Sequence, residues 1–246
     1  MFQLLTLGLT LEPHDPVTGR GVAFDLLTSA EVPVTTGHAG GVITLDLAES
    51  DDVHRERIRT RLSEPYRTLI GHFRHEIGHY EFTVLVGPNE VDEVRSHFGD
   101  ERADYAAALE RHYRDGAPPG WADTHVSEYA TMHPSEDFAE TFAHYLHLRA
   151  VLDTAAAYGL RVDGPAEAVA TPLTSVPAEL DPDDFAGLVA AWLPLSYALN
   201  AVSRSIADDD LYPFVLPAPV IAKLAVVHRL VRQAAASTPP QPVGAA

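Results

Sequence analysis

Cysteine is missing from all 246 residues. Its absence excludes disulfides, thiolate metal sites and cysteine nucleophiles, and it fits a cytoplasmic protein. Positive charge is scarce as well. Lys and Arg number 17 against 35 Asp and Glu, for a formal net charge of −18. Such a surface repels phosphate backbones and anionic bilayers, so neither nucleic acid nor a membrane is an expected partner. No run approaches the roughly 18 apolar residues of a membrane span. The N-terminal MFQLLTLGLTLEP lacks the basic flank and small-residue cleavage site of a signal peptide. What is left is 46% hydrophobic and 21% charged, ordinary for a globular chain able to bury a large core.

Against that plain background one pentapeptide stands out, His75-Glu76-Ile77-Gly78-His79. It reads H-E-x-x-H. Ser63 and Pro65 are good helix starters, and apolar residues recur at Tyr66, Leu69, Ile70, Phe73 and Ile77 with helical spacing. The spacing predicts a helix from Ser63 to about Val86, ended by Gly87-Pro88-Asn89. Positions four apart lie about 40° out of register on a helix, so His75 and His79 project from one face and can grip one zinc ion. Glu76 between them can take a proton from water activated by the metal. Gly78 leaves room for a second element to pack closely, at a cost in helix propensity.

A third ligand is offered in SEYATMHPSEDFAETFAHYLHL. Pro134 suits a helix first turn, and Glu136, Glu140 and His144 follow at i, i+4 and i+8 on one stripe. Zinc with three protein ligands keeps its fourth position open for water or substrate. Direct ligation by both glutamates would close that position. One glutamate should therefore bind the metal and the other orient a ligand histidine through its second ring nitrogen. Spacing alone leaves both Glu136 and Glu140 facing the metal region, and the first-turn place of Glu136 agrees with its being the ligand and Glu140 the orienting group.

Along the rest of the chain, residues 2–11 and Val22–Leu27 read as strands, with a turn at 12–20 between them. Val42–Leu47 alternates like a half-buried strand after Gly37, Gly40 and Gly41, and His38 reads as a turn residue. A charged helix is expected at 50–62 and helical segments at 90–115, where Asp100, Glu101 and Asp104 read as capping or solvated groups. The glutamate helix should run from 134 to 157, a proline-rich loop from 161 to 181, and two further helices at 182–206 and 219–235. The expected organisation is one domain over 1–235, α/β to about 90 and helical beyond, with a disordered tail at 236–246.

The pair HEIGH and EDFAE resembles a gluzincin metallopeptidase, and Glu136–Glu140 with Tyr129 seven residues upstream is similar to the third-ligand region of anthrax lethal factor's protease domain. TTGHAGGVITLDLAE, EPYRTLIGHFRHEIGHY, FGDERADYAAAL, HPSEDFAETFAHYLH, WLPLSYALN and DLYPFVL resemble a bacterial family of zinc-binding metallopeptidases over about residues 20–230. Many members carry an N-terminal cysteine-rich zinc ribbon, and this cysteine-free chain departs from the pattern there. The resemblance implies an α+β zincin-like fold and a single zinc ion on His75, His79 and Glu136. It implies Glu76 as general base and Tyr129 as hydrogen-bond donor to the oxyanion. His133 and His144 are weaker candidates for the oxyanion or for support of the ligands. It also implies that Val42–Leu47 is the edge strand that pairs with an extended peptide or protein substrate. Two other readings stay open: a non-catalytic zinc-dependent peptide-binding module, and a zinc hydrolase of a non-peptide amide. A binding module has no use for the base, Glu76. A closed pocket, in place of a groove along an edge strand, would point to a small amide.

Overall fold

The computed structural model describes residues 2–29, 34, 36–51, 68–162 and 181–237. It is α+β, with a small three-stranded sheet and a majority of helix. The chain forms two compact units, Met1–Ala143 with Leu216–Ala246, and His144–Val215.

In the first unit, helix α1 (Phe2–Thr6) opens the chain where a strand was expected. Leu4 and Leu7, three apart, are buried while Phe2 and Leu5 face solvent, so a helical spacing decides over strand propensity. Strands β1 (Ala23–Leu27), β2 (Gly37–Ala39) and β3 (Val42–Asp46) then build the sheet in the order β1-β3-β2. β1 runs parallel to β3, and β2 antiparallel to it. Gly40 and Gly41, with φ of 54° and 83°, make the two-residue turn between β2 and β3; only residues tolerant of positive φ at both positions give this tight hairpin. The order corrects the expectation for Val42–Leu47. β3 is paired on both sides and is central, with Ile43 and Leu45 buried, and among the described residues β1 and β2 are the two edge strands, of which β2 borders the HExxH helix through His38.

Helix α2 (Leu69–Leu85) carries the HExxH pentapeptide. Its N-cap is Thr68, whose hydroxyl accepts the Gly71 N–H at 3.0 Å. The expected start at Ser63 and Pro65 lies outside the described residues, as do nearly all of the charged helix expected at 50–62 and most of the loop expected at 161–181. Phe24 of β1 and His38 of β2 pack on Phe73 and Tyr80 of α2, with ring centroids 5.9 and 6.2 Å apart, which seats the sheet on the helix.

Helices α3 (Val91–Phe98) and α4 (Tyr105–Asp115) follow. Asp104 caps α4 through the Ala107 N–H, at 3.0 Å. Helix α5 (Pro134–Ala157) carries the glutamates and passes from the first unit into the second. Phe138 stacks among Phe82, Phe98 and Phe142 within 5.1–6.3 Å, so α2, α3 and α5 share one aromatic core. Helix α7 (Ala218–Ser237) also belongs to the first unit. It is anchored by Lys223, whose Nζ reaches Asp137 Oδ2 at 2.6 Å and the Thr124 carbonyl at 2.8 Å. Both side chains are buried, so the ion pair is desolvated.

The second unit contains the end of α5 and helix α6 (Phe185–Ser205). Asn200 exchanges two hydrogen bonds with the Tyr212 backbone at 2.8 and 3.0 Å, which holds the following irregular segment on α6. By length and composition α6 is apolar enough to cross a membrane, although no such segment was expected. Pro194, Ser196 and Asn200 break its apolar run without making the helix polar on average.

Candidate metal centre

α2 and α5 meet at Gly78. A Cβ there would sit 2.8 Å from the Ala139 Cα and 2.9 Å from its carbonyl oxygen. The missing side chain thus lets two backbones touch beside the histidines. One turn of α2 presents His75 and His79, and the first turn of α5 presents Glu136.

The three side chains converge. His75 Nε2 lies 3.0 Å from Glu136 Oε2, His79 Nε2 lies 3.3 Å from the same oxygen, and the two Nε2 atoms are 3.2 Å apart. On the other side of the ring, His75 Nδ1–H donates to Glu140 Oε1 at 2.7 Å. In the metal-free cluster Nε2 shares a hydrogen bond with Glu136; a neutral His75 that keeps its proton on Nδ1 would offer the Nε2 lone pair to a cation. Glu140 is itself fixed, since its Oε2 accepts the Ser127 hydroxyl at 2.7 Å and Ser127 Oγ accepts the Ala130 N–H at 3.1 Å. Glu136 Oε1 accepts the Tyr105 hydroxyl at 3.1 Å.

Electrostatics follow from this crowding. Burial alone would keep His75 neutral, but hydrogen bonds to Glu136 and Glu140 outweigh it and raise its pKa well above the usual imidazole value. Burial likewise favours the acid form of Glu136, and the two histidines overcome it and hold the carboxyl below its ordinary range. Two imidazole nitrogens and a carboxylate oxygen, concentrated within 4.8 Å of one another, could hold a metal ion. This donor set suits zinc, and a divalent cation would relieve the juxtaposed lone pairs.

Glu76 is buried between the histidines, and its Oε2 has no hydrogen-bond partner among the described residues. Burial, opposed by His75 and His79, raises its pKa, the direction that keeps a carboxylate basic enough to exchange protons. Tyr129 sits in a single 3₁₀ turn, Tyr129–Thr131, with its ring 5.9 Å from that of His75. Burial and then Glu136 raise its pKa, so the phenol remains a proton donor. His75, Glu76, His79, Tyr105, Tyr129 and Glu136 line one cleft of about 430 Å³, together with Phe82, Ser135, Thr36 and the β2 residues Gly37 and His38 at its edge. His38 also accepts the Gly41 N–H on its Nε2 at 3.2 Å, so it serves the turn and the cleft wall at once.

A family model described as "Putative zinc-binding metallo-peptidase" matches residues 1–230. The chain belongs to this family. Curated relatives, uncharacterized proteins of Mycobacterium tuberculosis and Mycobacterium bovis, are each 54% identical to it over 235 residues. That match covers 95% of this chain and 67% of each relative. No solved structure matches the chain.

Of the residues singled out from sequence, this member of the family brings together His75, Glu76, His79, Tyr129, Glu136 and Glu140. The two remaining histidines are employed elsewhere. His133 donates from Nε2 to the Ala103 carbonyl at 3.0 Å and accepts the Ser135 N–H on Nδ1 at 3.2 Å, which ties the start of α5 to the loop before α4. His144 belongs to the second unit, where its Nδ1 meets the Tyr212 hydroxyl at 2.7 Å and its ring lies 4.4 Å from that of Phe214. Asp100, Glu101 and Asp104 pair with Arg102, Arg95 and the Ala107 N–H, which are solvent-side and capping roles. Sequence reasoning missed Ser127 and Tyr105. Both touch the glutamates from other segments, and neither stands at a spacing that a helix or strand would reveal.

Proposed function

We propose that the chain is a zinc-dependent peptidase of gluzincin type, its α2–α5 pair arranged in the zincin manner. His75, His79 and Glu136 would hold the ion. Bound there, zinc supplies Lewis acidity toward water and a substrate carbonyl. Glu76 removes a proton from the attacking water and returns it to the departing amine. Tyr129 donates its hydroxyl hydrogen bond to the carbonyl oxygen as charge grows on it. Glu140, steadied by Ser127, holds the His75 ring with its Nε2 turned inward. The edge strand β2 offers backbone groups to an extended peptide lying along the cleft.

The observation that carries this reading is the meeting of His75 Nε2, His79 Nε2 and Glu136 Oε2 at 3.0–3.3 Å beside the buried Glu76 carboxylate, one oxygen of which has no hydrogen-bond partner among the described residues. A non-catalytic binding module gains nothing from a buried base at that point. An open cleft bordered by a strand edge favours a peptide over a small amide. Elemental analysis should find about one zinc per chain. Glu76→Gln should retain that zinc and lose roughly 100-fold or more in cleavage of a peptide library. A protein that cannot be loaded with zinc, or a Glu76→Gln variant as active as the parent, refutes the proposal.

A further inference from the structure

We infer that Tyr105 is a positioning residue for Glu136, fixing it to a metal through one oxygen only. The inference rests on the reading of the cluster as a zinc site. A carboxylate on a flexible stem can turn either oxygen, or both, toward a cation. Two-oxygen ligation would fill the place that water and a substrate carbonyl need. Here the two oxygens have different work. Oε2 faces His75 and His79, while Oε1 accepts the Tyr105 hydroxyl at 3.1 Å.

The donor is held as firmly as the acceptor. Tyr105 is the first residue of α4, directly after its cap, Asp104. The preceding carbonyl, of Ala103, accepts the His133 ring N–H, and the His133 ring packs 5.2 Å from the Tyr105 ring. His133 stands three residues before Glu136, immediately ahead of α5. Donor and acceptor are thus anchored to each other by a second, independent bridge between the same two segments. Such a brace fixes the distance from Tyr105 to Glu136 before any ligand arrives. The Tyr105 hydroxyl also hydrogen-bonds that of Tyr129, whose ring lies 5.9 Å from the His75 ring.

Tyr105→Phe removes the hydroxyl and keeps the ring on His133. Zinc affinity of the full chain, measured by competition with a chromophoric chelator, should fall about 10-fold, as the loss of a group supporting a ligand does. The unfolding midpoint of the metal-free protein should stay at the parent value. In cobalt-loaded protein the visible bands should weaken, because a freed Glu136 raises the coordination number. Unchanged zinc affinity with unchanged cobalt bands overturns the inference and leaves the zinc site standing. A lower affinity matched by a lower metal-free midpoint also overturns it, because Tyr105 then serves the fold. Failure of the parent protein to bind zinc at all falls on the proposed function, and is distinct from either result.

Discussion

Replacing Gly78 with alanine tests whether the two helices of the metal centre touch. Alanine would gain about 1 kcal/mol of helix propensity in α2. Its Cβ, however, would stand 2.8 Å from the Ala139 Cα, about 0.6 Å inside an ordinary 3.4 Å contact, with the Ala139 oxygen at 2.9 Å and the Phe142 Cβ at 3.2 Å. Two of these three atoms are backbone, so no rotamer can yield and the helices must separate. Overpacking of this kind costs about 1–3 kcal/mol, which leaves a net loss of up to about 2 kcal/mol. For a chain of this size that is a fall in Tm of up to about 8 °C. The same separation carries His75 and His79 away from Glu136. Sites lose function when groups drift by about 0.5 Å, and zinc affinity should fall about 10-fold or more. Thermal unfolding of the metal-free protein and chelator competition read the two effects separately. A variant that melts higher than the parent and binds zinc equally well would show that propensity wins and that the close approach is not real.

The two glutamates should separate by affinity. Glu136→Ala should abolish tight zinc binding, whereas Glu140→Ala should weaken it about 10- to 100-fold; the reverse order would show their roles exchanged. Glu81 is buried with neither oxygen hydrogen-bonded among the described residues, and burial pushes its pKa up to about 8. Above pH 4.5 an unfolded Glu81 gives up a proton that the folded chain retains. Stability therefore falls as pH rises toward 8, by an amount on the order of 4 kcal/mol. Glu81→Met should flatten that slope in a Tm–pH series, and a slope parallel to the parent's would refute the assignment.

Much of the centre was legible in the sequence because its ligands lie on two helices with strong local signals. Four-residue spacing puts His75 and His79 on one face whatever surrounds them, and Pro134 marks the start of the glutamate helix. The same arithmetic explains the limit at His144. It stands eight residues after Glu136, about 12 Å along the axis and turned a further 80° or so, and it falls within the second unit. Strand order was not legible, because β3 becomes central only through its parallel pairing with the more distant β1, which leaves β1 and β2 at the edges. Tyr105 and Ser127 were hidden for a similar reason. Their partners are 31 and 13 residues away, and no local period records such a meeting. The start of α2 at Thr68 was masked by a better-looking cap and proline upstream.

The Lys223–Asp137 pair gives the protein a timetable. Asp137 follows Glu136 directly, and its cation emerges from the ribosome 86 residues later. At 5–20 residues per second that is a wait of roughly 4–17 s. Until then, seating the glutamate helix would bury a carboxylate with no counter-charge, and burial alone drives Asp137 toward its protonated form. A nascent chain can therefore display both histidines and Glu136 and still lack a settled centre.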